Sequence, residues 1–184
     1  MQDPAARQRS LLVLGGARSG KSRYAQRLAE ASGRLPVLIA TAQAHDEEMA
    51  QRIARHAADR SPKWALVEEP AALAAALRRE AREDRIVVVD CATLWLSNLL
   101  LQGDDLSAAT EELAQNIGEL AGPVIFVSNE VGLGIVPENA IARAFRDAQG
   151  WLNQALAESC DAVVLVSAGL PLRLKPANEP KLEF

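Results

Sequence analysis

Between Gly15 and Ser22 the chain reads GGARSGKS, which satisfies the spacing G-x-x-x-x-G-K-[ST]. Phosphate chemistry calls for these residue types. Gly15, Gly16 and Gly20 let backbone N–H groups close around anionic oxygens, with Ala17, Arg18 and Ser19 completing the loop. Lys21 is long enough to reach a β- or γ-phosphate, and the Ser22 hydroxyl can ligate Mg²⁺. Leu11 to Leu14 precede the loop as a short apolar run that reads as a buried strand. After it, SRYAQRLAEA places Tyr24, Leu28 and Ala31 at helical spacing, so a helix starting at Ser22 aims its positive end at the anion. Strand, loop and helix in that order are the context a phosphate loop requires.

Three further stretches could do chemistry. Ile86 to Val89 is apolar and β-branched and ends in Asp90, the arrangement of a strand whose terminal carboxylate holds Mg²⁺ directly or through water. With Ser22 and Asp90, both halves of a metal–phosphate site are present. Arg52, His56 and Arg60 recur every four residues on a helix expected from Asp46 and stopped by Pro62, which aligns two guanidiniums and an imidazole on one face. That row reads either as a solvated face with a helix-end histidine or as a functional cluster. The other histidine, His45, adjoins Asp46, Glu47 and Glu48, which favour imidazolium. Ser128 to Asn139, SNEVGLGIVPEN, is dense in Gly, Asn, Glu and Pro after an apolar strand; it reads as a substrate or nucleotide loop, or as a plain connection.

The elements that must position these residues alternate between strand and helix. Strands are expected at Val37–Ala40, ending in Thr41, Ala42 and Gln43, then at Val124–Val127 and Ala162–Ser167, with a short edge strand at Leu172–Lys175 after a turn at Gly169 and Pro171. Helices are expected over Pro70–Arg82, Thr93–Leu101, Leu106–Leu120 and Ala140–Ser159, with Gly33 capping the first helix. Trp95 reads as a packing residue. The pattern implies an α/β, P-loop NTPase-like fold: a mainly parallel sheet, helices on both faces, and the phosphate loop at the carboxyl ends of the strands. Residues 1–10 read as a flexible terminus, 11–175 as one domain and 176–184 as a tail.

At 184 residues the chain can bury a substantial core without disulfides. Its net charge of −4, with Lys and Arg scattered through the expected helices, argues against nucleic acid as a partner. Cys91 and Cys160 have neither CxxC nor zinc spacing and read as small core residues of a reducing compartment. No apolar run has the length of a membrane span, and MQDPAARQRS lacks a signal-peptide apolar region, so a cytoplasmic protein is expected.

Taken together, GGARSGKS, RIxxHxxxR at Arg52 to Arg60, the acid at Asp90, NEVGLGIVPEN at Asn129 to Asn139, FRD at Phe145 to Asp147 and NQ at Asn153–Gln154 closely resemble the bifunctional adenosylcobinamide kinase/adenosylcobinamide-phosphate guanylyltransferases of cobalamin biosynthesis. The resemblance runs from about Leu11 to Lys175. It implies phosphorylation of the aminopropanol hydroxyl of adenosylcobinamide, then transfer of GMP from GTP to that phosphate through a guanylylated histidine, which falls on His56. The implied nucleotide contacts fall on Gly15 to Ser22, on Thr41, Ala42 and Gln43, on Ala57, Ala58, Asp59 and Arg60, on Glu68 and on Asp90. GTP, ATP and Mg²⁺ are the implied cofactors, adenosylcobinamide and its phosphate the substrates, and a homotrimer the implied assembly. The assignment of His56 fits its neighbours, because Arg52 and Arg60 would keep the imidazole neutral and could hold the phosphates it attacks. Trp151 stands where relatives usually carry arginine, and Asp90 where many carry glutamate. A single-activity kinase without a covalent intermediate and a nucleotide-gated binding module are the competing readings; the chain has no N-K-x-D guanine tetrapeptide.

Overall fold

The computed structural model describes residues 9–43 and 63–176. The strands are β1 (Ser10–Gly15), β2 (Leu35–Ala40), β3 (Ala65–Glu68), β4 (Arg85–Asp90), β5 (Val124–Asn129), β6 (Ala162–Ser167) and β7 (Leu170–Lys175). The described helices are α1 (Lys21–Ala31), α2 (Leu73–Glu80), α3 (Ala92–Gln102), α4 (Leu106–Ile117) and α5 (Ala140–Ser159). The strands form one seven-stranded sheet in the order β3-β2-β4-β5-β1-β6-β7. Every neighbouring pair is parallel except β6 with β7.

Side chains of a strand alternate between faces, and two cores result. Leu12, Val87, Val89, Val124, Phe126 and Val163 point to one face, where Leu77 of α2, Leu96 of α3, Leu113 of α4 and Leu152 of α5 meet them. Val13, Val88, Ile125, Val127, Val164 and Val166 point to the other, against Ala25 and Ala29 of α1. The central strands read as continuous apolar runs because both of their faces are covered.

Several elements differ from the sequence expectation. β3 is absent from it: ALVE has only four residues, alternately half-buried and exposed, and lies at the sheet edge. The expected helix over Pro70–Arg82 is shorter, because Glu69 Oε1 accepts the N–H groups of Ala71 and Ala72 at 3.2 and 2.8 Å and holds those residues in a turn before α2 begins. α4 stops at Ile117, short of the expected Leu120. Pro171, expected in a turn, lies within β7, an edge strand that can lack its N–H. The expected helix from Asp46 lies outside the described residues.

Candidate functional site at the carboxyl edge of the sheet

β1 delivers the chain into the phosphate-loop motif at Gly15, which has no space for a side chain. A Cβ there would stand 2.3 Å from the Val166 carbonyl oxygen and 2.7 Å from Ser19 Oγ. Arg18 at φ 56° and Gly20 at φ 99° take left-handed conformations and curl the loop. Within it, the Ser19 N–H donates to the Gly16 carbonyl at 3.3 Å and the Tyr24 N–H to the Gly20 carbonyl at 2.9 Å. Lys21 is buried, and its Nζ donates to the Gly16 carbonyl at 2.7 Å, so the ammonium group rests on the rim of the loop. α1 starts at Lys21, one residue before the expected Ser22, and no side chain caps it. Its first-turn N–H groups are therefore not claimed by a side-chain cap, the usual condition for receiving an anion. Ser19 Oγ is buried without a hydrogen-bond partner among the described residues. The loop is backed from outside the motif by the β6–β7 turn, where the Gly169 N–H donates to the Ser19 carbonyl at 2.8 Å.

Because β1 to β6 are parallel, their carboxyl ends share one edge, and the register places the predicted residues along it. Gly15 pairs with Asn129 of β5, Asp90 of β4 with Val127 of β5, and Ala40 of β2 with both Asp90 and Glu68. β5 thus lies between the phosphate-loop strand and the strand ending in Asp90. Two strand spacings separate those strands, about 10 Å, and four separate β1 from β3, about 19 Å. Thr41, Ala42 and Gln43 follow β2 beside Asp90, and Glu68 is exposed at the far side of the edge. The structure therefore gathers Gly15 to Ser22, Thr41 to Gln43, Glu68 and Asp90 on one rim. His56, its partners Arg52 and Arg60, residues Ala57 to Asp59, and His45 lie outside the described residues.

Buried polar side chains fix the strand ends. Thr41 Oγ1, fully buried, donates to the Cys91 carbonyl at 2.7 Å and accepts from the Cys91 N–H at 2.9 Å, joining the ends of β2 and β4. Asn98 Nδ2 donates to the Thr41 carbonyl at 2.8 Å and the Pro70 carbonyl at 3.0 Å. At β5 the Asn129 N–H donates to Thr93 Oγ1 at 2.8 Å, and the Asn129 carbonyl accepts from Asn153 Nδ2 at 3.0 Å. That donation leaves Asn153 Oδ1 to accept from Ser128 Oγ at 2.7 Å and from Gln149 Nε2 at 2.9 Å, which sets the amide orientation down the chain. Gln149 Oε1 is then left buried without a partner among the described residues.

No role for Thr93, Asn98 or Gln149 follows from the motifs alone. The available signal was polar residues at i, i+4 (Gln149 and Asn153) inside an apolar helical period. Of the NQ pair, Asn153 joins this network and Gln154 is exposed. Trp95 packs in the core, its Nε1 donating to the Ala71 carbonyl at 2.7 Å, and Trp151 stands 67 % exposed on α5. Burial pushes the Cys91 thiol up to about 11, and the charge of Asp90 beside it adds to the rise.

As donors for a cation, Ser22 and Asp90 offer hard oxygens, suited to Mg²⁺ held chiefly by phosphates. Among the described residues no group of three or more His, Cys, Asp and Glu side chains is placed to hold a metal ion. No described helix is long and apolar enough to cross a membrane.

Comparison with known proteins agrees with this geometry. The profile of the family described as "Cobinamide kinase / cobinamide phosphate guanyltransferase" matches residues 11–174. The "Bifunctional adenosylcobalamin biosynthesis protein CobP" of Pseudomonas aeruginosa is 55% identical over 166 residues, covering 89% of this chain and 96% of its own. The protein CobU of Escherichia coli, carrying the same bifunctional description, is 38% identical over 180 residues, covering 90% and 99%. Among solved structures, an ATPase from the type III secretion system of pathogenic bacteria superposes with a TM-score of 0.54 at 11% identity. The match covers 85% of this chain and 50% of the ATPase, and shows a shared P-loop fold.

Proposed function

The chain belongs to the cobinamide kinase / cobinamide phosphate guanyltransferase family, and from that premise we propose that it carries out both reactions at the carboxyl edge of its sheet. In the first, the aminopropanol hydroxyl of adenosylcobinamide attacks the γ-phosphorus of ATP or GTP. Backbone N–H groups of Gly15 to Ser22 hold the phosphates, Lys21 neutralises charge on the transferring group, and Ser22 and Asp90 hold Mg²⁺, which would supply Lewis-acid stabilisation. In the second, a ring nitrogen of His56 attacks the α-phosphorus of GTP and pyrophosphate leaves. The adenosylcobinamide phosphate then displaces His56, breaking the P–N bond to give adenosylcobinamide-GDP.

The observation that carries the reading is the meeting of the phosphate loop and Asp90 on one rim, with Thr41 to Gln43 and Glu68 alongside. Thr41 to Gln43, Ala57 to Arg60 and Glu68 complete the proposed nucleotide contacts. A homotrimer is part of the proposal. It rests on the family resemblance and is checked by light scattering.

The reading is tested with GTP labelled on its α-phosphate and Mg²⁺. The label should stay on the denatured protein, leave in acid and persist in alkali, as a phosphoramidate does. His56→Ala should lose labelling and guanylyl transfer while keeping phosphorylation of adenosylcobinamide, and His45→Ala should still be labelled. Labelling of His56→Ala at the wild-type level would exclude the histidine intermediate. Phosphorylation by a wild-type chain that never takes up label would favour the single-activity kinase.

A further inference from the structure

We propose that Glu130 takes the proton from the acceptor hydroxyl in the phosphorylation step. The inference rests on the kinase half of the reading above.

Glu130 is the first residue beyond β5, the strand between β1 and β4, so its place along the rim lies between the phosphate loop and Asp90. Its backbone is tied to the loop itself, since the Glu130 N–H donates to the Gly15 carbonyl at 3.0 Å. The preceding residue is held from two sides, with the Asn129 N–H on Thr93 Oγ1 and the Asn129 carbonyl on Asn153 Nδ2. Glu130 is half-buried as a residue, and one carboxylate oxygen, Oε1, accepts the Gly132 N–H at 2.8 Å. That bond fixes the side chain and leaves Oε2 without a partner among the described residues. The loop then runs on through Leu133 and Ile135, 90% and 99% exposed, beside which the apolar body of an acceptor can lie.

The other described carboxylates at this rim are less suited. Asp90 belongs to the cation. Glu69 is committed to the N–H groups of Ala71 and Ala72, and Glu68 is four strand spacings from β1. Glu138 is at the opposite end of the loop, next to Asn139, which caps α5.

In the step itself the hydroxyl oxygen bonds to the γ-phosphorus. The bond from that phosphorus to the β-bridging oxygen breaks, and the nucleoside diphosphate leaves with the electron pair. The hydroxyl proton passes to the Glu130 carboxylate and from there to water. Proton acceptance of this kind typically contributes about 10²–10⁴-fold, at the lower end where phosphoryl transfer is dissociative.

The test is steady-state kinetics of Glu130→Gln, which preserves shape and an oxygen for the Gly132 N–H. Kinase kcat should fall on the order of 100-fold with KM for adenosylcobinamide little changed. The acid limb of the kcat–pH profile should disappear, while melting temperature and self-guanylylation by labelled GTP stay at wild-type values. Glu130→Asp should recover part of kcat. Wild-type kcat in Glu130→Gln, an unchanged acid limb, or a parallel fall of kinase, labelling and melting temperature would each overturn the proposal. A wild-type chain with no kinase turnover would remove the underlying reading as well.

Discussion

Gly15 shows how the phosphate loop depends on chain far from its motif. Only a hydrogen fits where a methyl would meet the Val166 carbonyl at 2.3 Å, so Gly15→Ala must push β6 or the loop aside. Overpacking of that kind costs about 1–3 kcal/mol, and the displacement falls on the loop proposed to hold the phosphates. Gly15→Ala should fold with a lower melting temperature and bind nucleotide at least about tenfold more weakly, a factor worth ~1.4 kcal/mol; calorimetry of nucleotide binding with a thermal melt checks both. Gly16→Ala, facing open space, is the contrasting variant and should lose little stability. The motif was legible because its spacing is a property of consecutive residues. It could not announce Val166 or Gly169, whose contacts arise only once β6 is laid beside β1.

At the amino edge of the sheet one side chain joins two elements. Asp161, just before β6, accepts the N–H groups of Arg9 and Ser10 at 2.7 and 3.0 Å and the Ser10 hydroxyl at 3.0 Å, while its own N–H donates to Ser10 Oγ at 2.9 Å. Burial works to raise its pKa, but the hydrogen bonds from Arg9 and Ser10 outweigh it and hold the carboxyl below its usual range. A carboxylate lowered in the folded state stabilises above its unfolded value, about 3.9, and loses that contribution as pH falls through the folded value. Asp161→Asn should therefore cost about 1 kcal/mol at pH 7, a figure kept small by the exposure of the residue. The difference in melting temperature from wild type should shrink on acidification toward pH 3; a constant difference would mean that charge plays no part. Elements were legible in proportion to their length and burial. α5 and β6 begin and end where the sequence periods predict, at Ala140–Ser159 and Ala162–Ser167. β3 was hidden because four half-exposed residues carry too little periodicity, and α2 was overextended because Glu69 captures two N–H groups that the apolar pattern assigned to the helix.

For the molecule as a whole, the two thiols report on the two cores separately. Cys160 lies with the cluster under α5 and Cys91 with the one under α1. Burial lifts Cys160 to about 12 and, with the charge of Asp90 adding to it, Cys91 to about 11. An unfolded thiol titrates near about 8.5. A raised folded value leaves stability intact below the unfolded one and erodes it as pH climbs toward the folded one, by up to about 1.4 kcal/mol per unit for each thiol. The chain should lose stability between about pH 9 and 11, and a Cys91→Ala/Cys160→Ala variant should lose less, measured as the difference between denaturant midpoints at the two pH values. At pH 8 neither thiol of the folded protein should react with iodoacetamide faster than the structure opens. The backing of the phosphate loop by Gly169 bears on the order in which the chain is made. The motif leaves the ribosome before β2 to β6 are made, but the turn whose N–H closes on the Ser19 carbonyl follows only after them. A nascent chain halted before β6 carries every residue of the phosphate motif without the turn that backs it, so the loop reaches its full shape only after β6 and that turn have emerged.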